Sequence, residues 1–264
     1  MADLVALLAR FKPAVVAIVR RTGDGPVDQQ VLGTGFNIDQ KGVIVTCRHV
    51  VEEFINDRLE AQFVYREEQL LAKRDMPFNW VIIHDTDDVA IIRLQNSPMP
   101  LPFAPLGTGS RVSEGTAIGV CGYPLGLALE PKARSAASTF QVGIVGAIMP
   151  YPGAPPLAGT TFYRLDIPLN FGNSGGPMFL QEDGAVVGVV AGRPTTMAPV
   201  FARKEVLSPT DLTAIVSGGL THAIPIDRSL HLIERVKRLT DQEIDEVRRT
   251  RKFPPWWDEV KTPA

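Results

Sequence analysis

Residues 170–178, NFGNSGGPM, surround a single serine, Ser174, with three glycines and a proline. A simple turn needs one or two such residues, because glycine is required only where φ is positive or where the backbone approaches another group closely. One interpretation is a loop in which the amide groups of Gly172 and Ser174 converge on one point beside an exposed hydroxyl. The other interpretation is a tight hairpin. The stretch alone leaves both open, so the rest of the sequence has to decide between them.

Short runs rich in Val, Ile and Phe recur along the chain and are bounded by Gly, Pro, Asp and Asn. They cover residues 14–20, 33–38, 42–47, 61–66, 79–84, 89–94, 115–123, 141–148, 161–167 and 185–191. This spacing is typical of an all-β sandwich or barrel rather than of alternating strands and helices. Residues 95–109, QNSPMPLPFAPLGTG, contain four prolines, which central strands exclude. We interpret residues 97–110 as a linker between two β-halves.

Helix signals lie near the two ends of the chain. Residues 2–11, ADLVALLARF, predict a short amphipathic helix that Pro13 stops. Residues 227–239, DRSLHLIERVKRL, place apolar side chains along one stripe and predict a second helix. The sequence TDQE at residues 240–243 matches a capping box and predicts a further helix through Arg251. Helices are therefore expected to cap a β-rich body.

Composition excludes several classes of function. The 264 residues are 45% hydrophobic, enough for a sizeable core, and a net charge of −2 argues against nucleic-acid or anionic-membrane binding. The first residues lack the pattern of a signal peptide, and we find no apolar run long enough for a membrane span. We interpret the two cysteines, Cys47 and Cys121, as reduced core residues, with a reactive Cys47 as the alternative. A soluble, cytoplasmic protein is expected.

A serine nucleophile needs a base to take its proton and a carboxylate to orient that base. Among four histidines, His49 ends the apolar run GVIVTCRHVV, from whose rim a side chain can project. Asp88 opens the run DVAIIRL. Each residue alone would more simply be structural or solvated. Together, His49, Asp88 and Ser174 follow the order His, Asp, Ser, one of three orders known among unrelated serine hydrolases.

Several blocks occur in one family's order between about residues 13 and 228. They are GTGFNID, GVIVTCRHVV, DVAIIRL, GYPLGL, QVGIVGAI, RLDIPLNFGNSGGPM, GAVVGVVA and HAIPID. With these blocks the chain resembles the chymotrypsin-fold serine proteases, and most of all their bacterial HtrA/Deg branch. The resemblance implies an all-β fold of two six-stranded antiparallel barrels, residues 13–96 and 111–226. A short N-terminal helix and a helical C-terminal extension, residues 227–264, complete the expected single protease domain.

The same resemblance assigns roles to residues. It makes His49 the general base, Asp88 its orienting carboxylate and Ser174 the nucleophile. It places the oxyanion hole at residues 172–174, that is at Gly172, Asn173 and Ser174. It implies neither a metal nor a cofactor.

Two departures from relatives carry expectations. Digestive proteases have an aspartate before the serine that pairs with a newly cut N-terminus, whereas this chain has Asn173. We therefore expect no activation by N-terminal cleavage. HtrA proteins usually continue into a PDZ domain, and the residues after HAIPID, 228–264, are too few for one. Peptide sensing by that route is expected to be absent.

The substrate pocket is also assigned by likeness. Its expected members are Pro168, Leu169, Asn170, Phe171, Val190, Ala191 and Leu220. Pro168 matches the position of the aspartate that selects basic residues in trypsin, and no acid is available there. A preference for small or medium aliphatic residues before the cleaved bond follows. The long stretch 192–219 either gates this pocket or is a disordered surface insertion.

Serine endopeptidase activity on proteins or peptides is the leading hypothesis. One alternative is a catalytically silent relative that binds peptides in the cleft, and another is a protease that is inactive until a partner binds. Homo-oligomer or partner contacts are expected through the C-terminal extension or the stretch 192–219. Trp256 and Trp257 in the extension either pack on the chain's own body or contact a partner.

Overall fold

A computed structural model describes residues 3–25, 28–67, 70–78, 80–94, 100–124, 137–150, 161–192, 195–199, 213–217, 221–250 and 252–259. Its first half is an antiparallel sheet in the order β5-β4-β1-β2-β3-β7-β6. The strands are β1 (Val15–Arg21), β2 (Gln29–Asn37), β3 (Val43–Thr46), β4 (Leu59–Glu67), β5 (Leu70–Phe78), β6 (Val81–Ile83) and β7 (Ala90–Arg93).

The second half is a closed barrel in the order β10-β15-β12-β11-β8-β9. Its strands are β8 (Ala117–Gly122), β9 (Thr139–Pro150), β10 (Thr161–Leu165), β11 (Pro177–Leu180), β12 (Val186–Gly192) and β15 (Thr221–Pro225). A separate hairpin pairs β13 (Thr195–Pro199) with β14 (Thr213–Ser217). Closure removes the open strand edges that would otherwise need cover.

The all-β class and its two halves agree with the prediction, and each of the ten predicted runs contains a strand. The first half differs in detail, because it has seven strands with β5 and β6 at the two ends of its sheet. These two strands follow each other after two residues, and Pro77 near the break lacks a backbone N–H for the ladder. Strand β6 lies in the predicted run 79–84, whereas β5 lies in none of the predicted runs.

The stretch 192–219 is not simply a loop. The hairpin β13–β14 lies within it, with Thr195 paired to Ser217 at one end and Pro199 to Thr213 at the other. Residues 193–194, 200–212 and 218–219 fall outside the described part of the chain. Whether this segment gates a pocket stays a prediction.

The short helices are α1 (Leu4–Phe11), α2 (Arg48–Val51), α3 (Leu230–Arg238) and α4 (Asp241–Thr250). The three terminal helices lie close to their predicted positions, and the single turn α2 was not predicted. The predicted capping box is present, since Thr240 Oγ1 accepts the Glu243 N–H at 3.2 Å and the Glu243 carboxylate accepts the Thr240 N–H at 2.8 Å. The described part of α4 runs through Thr250, and the predicted last residue, Arg251, lies outside the described residues. No helix in the described ranges combines the length and apolar character that a bilayer crossing needs.

Helix α3 packs on the first sheet, whereas α1 packs against Phe179 and Gly184 of the closed barrel. The larger hydrophobic cluster joins the strands of the first sheet to Phe11 of α1 and Ile233 of α3. Trp257 is buried in the same cluster, and Trp256 Nε1 donates to the Glu243 carboxylate at 2.9 Å. The tail therefore packs back on the chain's own body, which was the first of the two expectations for the tryptophan pair. A smaller cluster fills the closed barrel.

Candidate active site

His49 and Asp88 come from neighbouring strands of the first sheet. Strand β3 ends at Thr46, and after Cys47 the single turn α2 carries His49 at the rim. Asp88 lies just before β7, whose first residue Ala90 pairs with Thr46. Because antiparallel neighbours meet at one edge, the strand pairing alone brings the imidazole and the carboxylate together. Both remain open to solvent, with 50% of the His49 side chain and 34% of the Asp88 side chain exposed.

Two hydrogen bonds fix the imidazole against the carboxylate. His49 Nδ1 lies 2.6 Å from Asp88 Oδ2, and the His49 backbone N–H donates to Asp88 Oδ1 at 2.9 Å. An ionised carboxylate only accepts, so Nδ1 carries the proton and Nε2 is left as an acceptor. The hydrogen bond to Asp88 raises the pKa of His49 above its usual 6.5, while partial burial works in the opposite direction. The arrangement suits a general base that must take up a proton and then hold it.

The serine loop, residues 170–178, packs directly against the segment that leads to His49. Gly175 has φ +85°, and a Cβ there would collide with the Thr34 carbonyl and the Thr46 hydroxyl. Its N–H donates to the Val190 carbonyl at 2.7 Å. Only a residue without a side chain allows this approach. The glycine after Ser174 therefore seats the loop against the end of β3, from which the chain continues to His49.

The backbone around Ser174 leaves two amide groups free. The Asn173 N–H donates to the Asn170 carbonyl at 3.3 Å, so this member of the predicted oxyanion hole is already engaged. Among the residues that the structure describes, no acceptor lies within hydrogen-bond reach of the Gly172 or Ser174 N–H. Gly172 has φ +95°, a left-handed conformation that favours glycine. Two preorganised donors next to a serine hydroxyl are what an oxyanion hole requires.

The Asn173 side chain belongs to the loop itself. It is 3% exposed, and its Nδ2 donates to the Asn170 carbonyl at 3.2 Å. A neutral amide forms no ion pair, so this position stabilises the turn through a local hydrogen bond. Whether activity is independent of N-terminal cleavage stays a prediction.

The predicted pocket residues do not share one environment. Phe171 is 55% exposed, and Pro168 and Asn170 are exposed as well. Leu169 and Val190 instead lie in the core of the closed barrel. Ala191 is buried beside Val190 on β12, and Leu220 falls outside the described residues. The role of these residues in a substrate pocket stays a prediction.

Cys47 is not built as a nucleophile. Its side chain is fully buried and donates to the Val190 carbonyl at 3.1 Å. Burial, and after it the charge of Asp88, raise the pKa of the Cys47 thiol well above its usual value. The thiol, the His49 ring and the Asp88 carboxylate have potential metal-ligand atoms within 4.8 Å of one another. The 2.6 Å hydrogen bond between the last two shows them engaged with each other.

Sequence reasoning missed the residues that support the site from a distance. Thr34 of β2 bonds to the backbone on both sides of Asn173. Arg228 pairs with Asp87, the neighbour of Asp88, with Arg228 Nε 3.0 Å from Asp87 Oδ2. Thr34 falls in the block GTGFNID and Arg228 directly follows HAIPID, so only their membership of familiar blocks could have drawn attention to them.

Comparison with known proteins gives consistent matches. Residues 33–189, more than half of the chain, match the family model of the trypsin-like peptidase domain. The putative protease Do-like 14 of Arabidopsis thaliana is 28% identical over 235 residues, covering 87% of this chain and 47% of that protein. A probable periplasmic serine endoprotease DegP-like of Hahella chejuensis is 26% identical over 270 residues, covering 89% and 48%. The chain thus spans about half the length of these curated relatives.

Solved structures share the fold. The HtrA-type protease AlgW with a decapeptide superposes with a TM-score of 0.63 at 17% identity, over 89% of this chain and 68% of that one. Deg5 superposes with a TM-score of 0.58 at 22% identity, over 86% and 90%. At these identities the likeness concerns the fold.

Proposed function

The chain belongs to the trypsin-like peptidase family, and on that premise we propose that it is a serine endopeptidase acting through His49, Asp88 and Ser174. The observation that carries the proposal is the pair of hydrogen bonds between His49 and Asp88, which leaves Nε2 as an acceptor. Membership of the family supplies the reaction class, and this geometry supplies a base in the correct tautomer.

In the proposed mechanism Ser174 Oγ forms a bond to the carbonyl carbon of the substrate while His49 Nε2 takes the hydroxyl proton. The negative charge that develops on the carbonyl oxygen is stabilised by the N–H groups of Gly172 and Ser174. The C–N bond then breaks, and His49 gives its proton to the leaving amine. Water repeats the sequence on the acyl-enzyme, with His49 again as base, and releases the acid. Asp88 stabilises the imidazolium in both halves and stays ionised.

Digestion of unfolded casein by the purified full chain tests the proposal. We expect peptides that accumulate with time for the wild type and not for Ser174→Ala, as read by mass spectrometry. Equal digestion by both chains would show a contaminating protease, and no digestion by either would contradict the proposal. Because Asn173 needs no partner terminus, activity is expected in the intact chain before any cleavage near its start.

We also propose a preference for small or medium aliphatic residues, such as Val, Ala or Leu, before the cleaved bond. It is supported by the stretch Pro168–Phe171, which has no acidic residue to attract a basic side chain. The cleavage sites in the casein digest test this proposal directly. A set dominated by Arg and Lys would reject it. Oligomerisation, a regulatory partner and a cytoplasmic location stay predictions from the sequence.

A further inference from the structure

Thr34 connects the first sheet to the serine loop of the closed barrel. It lies on β2 and is fully buried. Its Oγ1 lies 2.6 Å from the Gly172 carbonyl oxygen, and its backbone N–H donates to the Ser174 carbonyl at 2.9 Å. One residue of the first half therefore holds the carbonyl groups on both sides of Asn173.

The direction of each hydrogen bond at the Thr34 hydroxyl is fixed. The Tyr123 N–H donates to Oγ1 at 3.0 Å, so the hydroxyl accepts there and must donate its own proton to the Gly172 carbonyl. The Thr34 carbonyl in turn accepts from the Thr46 hydroxyl at 2.6 Å. Each polar group of Thr34 thus takes part in a buried network, which rigidifies its members when all of them are paired.

The serine loop is held at each carbonyl between its two free amide groups and just after them. The Gly172 and Ser174 carbonyls are held by Thr34, and the Asn173 carbonyl accepts from the Gly176 N–H at 2.9 Å. With these carbonyls engaged, the peptide plane that carries the Ser174 N–H is fixed, and so is the backbone that leaves Gly172. Gly172 is the point at which the loop would otherwise move, because a glycine with positive φ has many alternative conformations.

Gly175 packs closely against the first half, but within the described residues the other backbone hydrogen bonds of the loop near Ser174 stay in the second half. Asn173 bonds through its amide and its side chain to Asn170, four residues before Ser174, and so anchors the loop only to itself. The Gly175 N–H bonds to Val190 within the closed barrel. The hydrogen bonds to Thr34 cross to the sheet that carries His49 and Asp88. They therefore set the oxyanion donors relative to the base.

We propose that Thr34 is a positioning residue that holds the serine loop in its reactive conformation through hydrogen bonds from the first sheet. The inference rests on the proposed serine endopeptidase function. The Thr34 hydroxyl touches no substrate, and it acts through the Gly172 carbonyl. Its loss should weaken stabilisation of the transition state and leave binding of the uncleaved substrate nearly unchanged.

The test compares Thr34→Val, Thr34→Ala and Thr34→Ser in the full chain, with a chromogenic peptide taken from a casein cleavage site. Valine keeps the shape and the backbone hydrogen bond but leaves the Gly172 carbonyl and the Tyr123 N–H unpaired. We expect kcat to fall on the order of 100-fold with KM changed less than about threefold, as for loss of one oxyanion donor. Serine, which keeps the hydroxyl, should restore kcat to within about threefold of the wild type.

Two further measurements separate positioning from loss of stability. A peptide boronate, which needs the oxyanion hole, should bind Thr34→Val more weakly in proportion to the fall in kcat. Thr221→Val is the matched control, because Thr221 is also buried and its hydroxyl bonds to the Ile167 carbonyl at 3.0 Å, outside the loop. It should lose thermal stability to a similar extent and keep kcat. If the valine variant does not fold, Thr34→Ala replaces it in the test. Its kcat is again expected to fall while KM changes little.

The outcomes distinguish this inference from the function on which it rests. A wild type that cleaves peptide while Thr34→Val and Thr34→Ala keep its kcat would overturn the role of Thr34 alone. A loss that serine does not rescue, or that Thr221→Val shares, would overturn it as well. A wild type that neither cleaves peptide nor reacts with a fluorophosphonate would overturn both proposals.

Discussion

Replacing Asp88 with asparagine exchanges one carboxylate oxygen for an NH2 group and should reverse the tautomer of His49. The side chain keeps its shape, and Oδ1 can still accept the His49 backbone N–H that now lies at 2.9 Å. The new Nδ2 group then faces His49 Nδ1, at a position where the oxygen is 2.6 Å away. Because Nδ2 is a donor, Nδ1 has to accept and the ring proton moves to Nε2. A protonated Nε2 cannot take the proton of Ser174.

The size of the effect follows from the loss of the base. A wrong tautomer in an otherwise intact triad lowers kcat on the order of 10⁴-fold, or about 5 kcal/mol of transition-state stabilisation. The pH dependence should change as well. The hydrogen bond and the charge of Asp88 raise the pKa of His49, and burial alone would lower it. Activity requires neutral His49, so the wild-type rate should rise with pH through a pKa above 6.5, and the residual rate of Asp88→Asn should rise at lower pH.

Steady-state rates with a chromogenic peptide between pH 5 and pH 10 provide the assay. Asp85→Asn is the matched control, because Asp85 is an exposed acid in the same turn. It should keep the wild-type rate and pH profile. If Asp88→Asn retained a rate within about tenfold of the wild type, or if its rate fell at low pH over the same range as the wild type, His49 would not depend on Asp88 for its tautomer. Either result would contradict the reasoning.

Three further predictions concern the surroundings of the triad. Arg228→Met should lower the free energy of unfolding by about 3–5 kcal/mol, because the buried Asp87 would lose its ion pair. It should also lower kcat, because Asp87 lies in the turn that carries Asp88. The exposed Arg249→Met should change neither quantity in the same denaturation and rate measurements. Cys47 should react with a disulfide-exchange reagent only after unfolding, since burial raises the pKa of its thiol, and rapid modification of the native chain would contradict this. Trp257→Ala should lower the free energy of unfolding, measured with denaturant, by about 3–5 kcal/mol, and the folded variant should keep its kcat/KM. Unchanged stability would show that the tail does not contribute to the core.

The sequence predicts those parts of the fold that local patterns encode. Runs of β-branched residues marked most strands, and the box at residues 240–243 marked the start of α4. Strand β5 was not recognised, because its sequence LLAKRDMPF mixes charged and apolar residues as expected at the edge of a sheet. The hairpin β13–β14 carries no strong strand signal in the sequence, since its two strands are short and far apart in sequence.

The candidate site also contains residues that local sequence marks and residues that only the fold brings together. His49, Asp88 and Ser174 could be named because each lies in a distinctive block. The support of Thr34 could not, because its hydroxyl meets a carbonyl 138 residues away and only the folded chain brings the two together. Arg228 meets Asp87 across 141 residues for the same reason. Composition and spacing carry little information on such pairs.

The central claim is that Ser174 is an activated nucleophile in the intact chain. Labelling with a fluorophosphonate, followed by peptide mass spectrometry, tests it most directly. We predict one adduct per chain, on Ser174, that is absent in Ser174→Ala and forms far more slowly in His49→Ala. A folded wild-type chain that acquires no adduct on Ser174, or acquires it as fast without His49, would contradict the account.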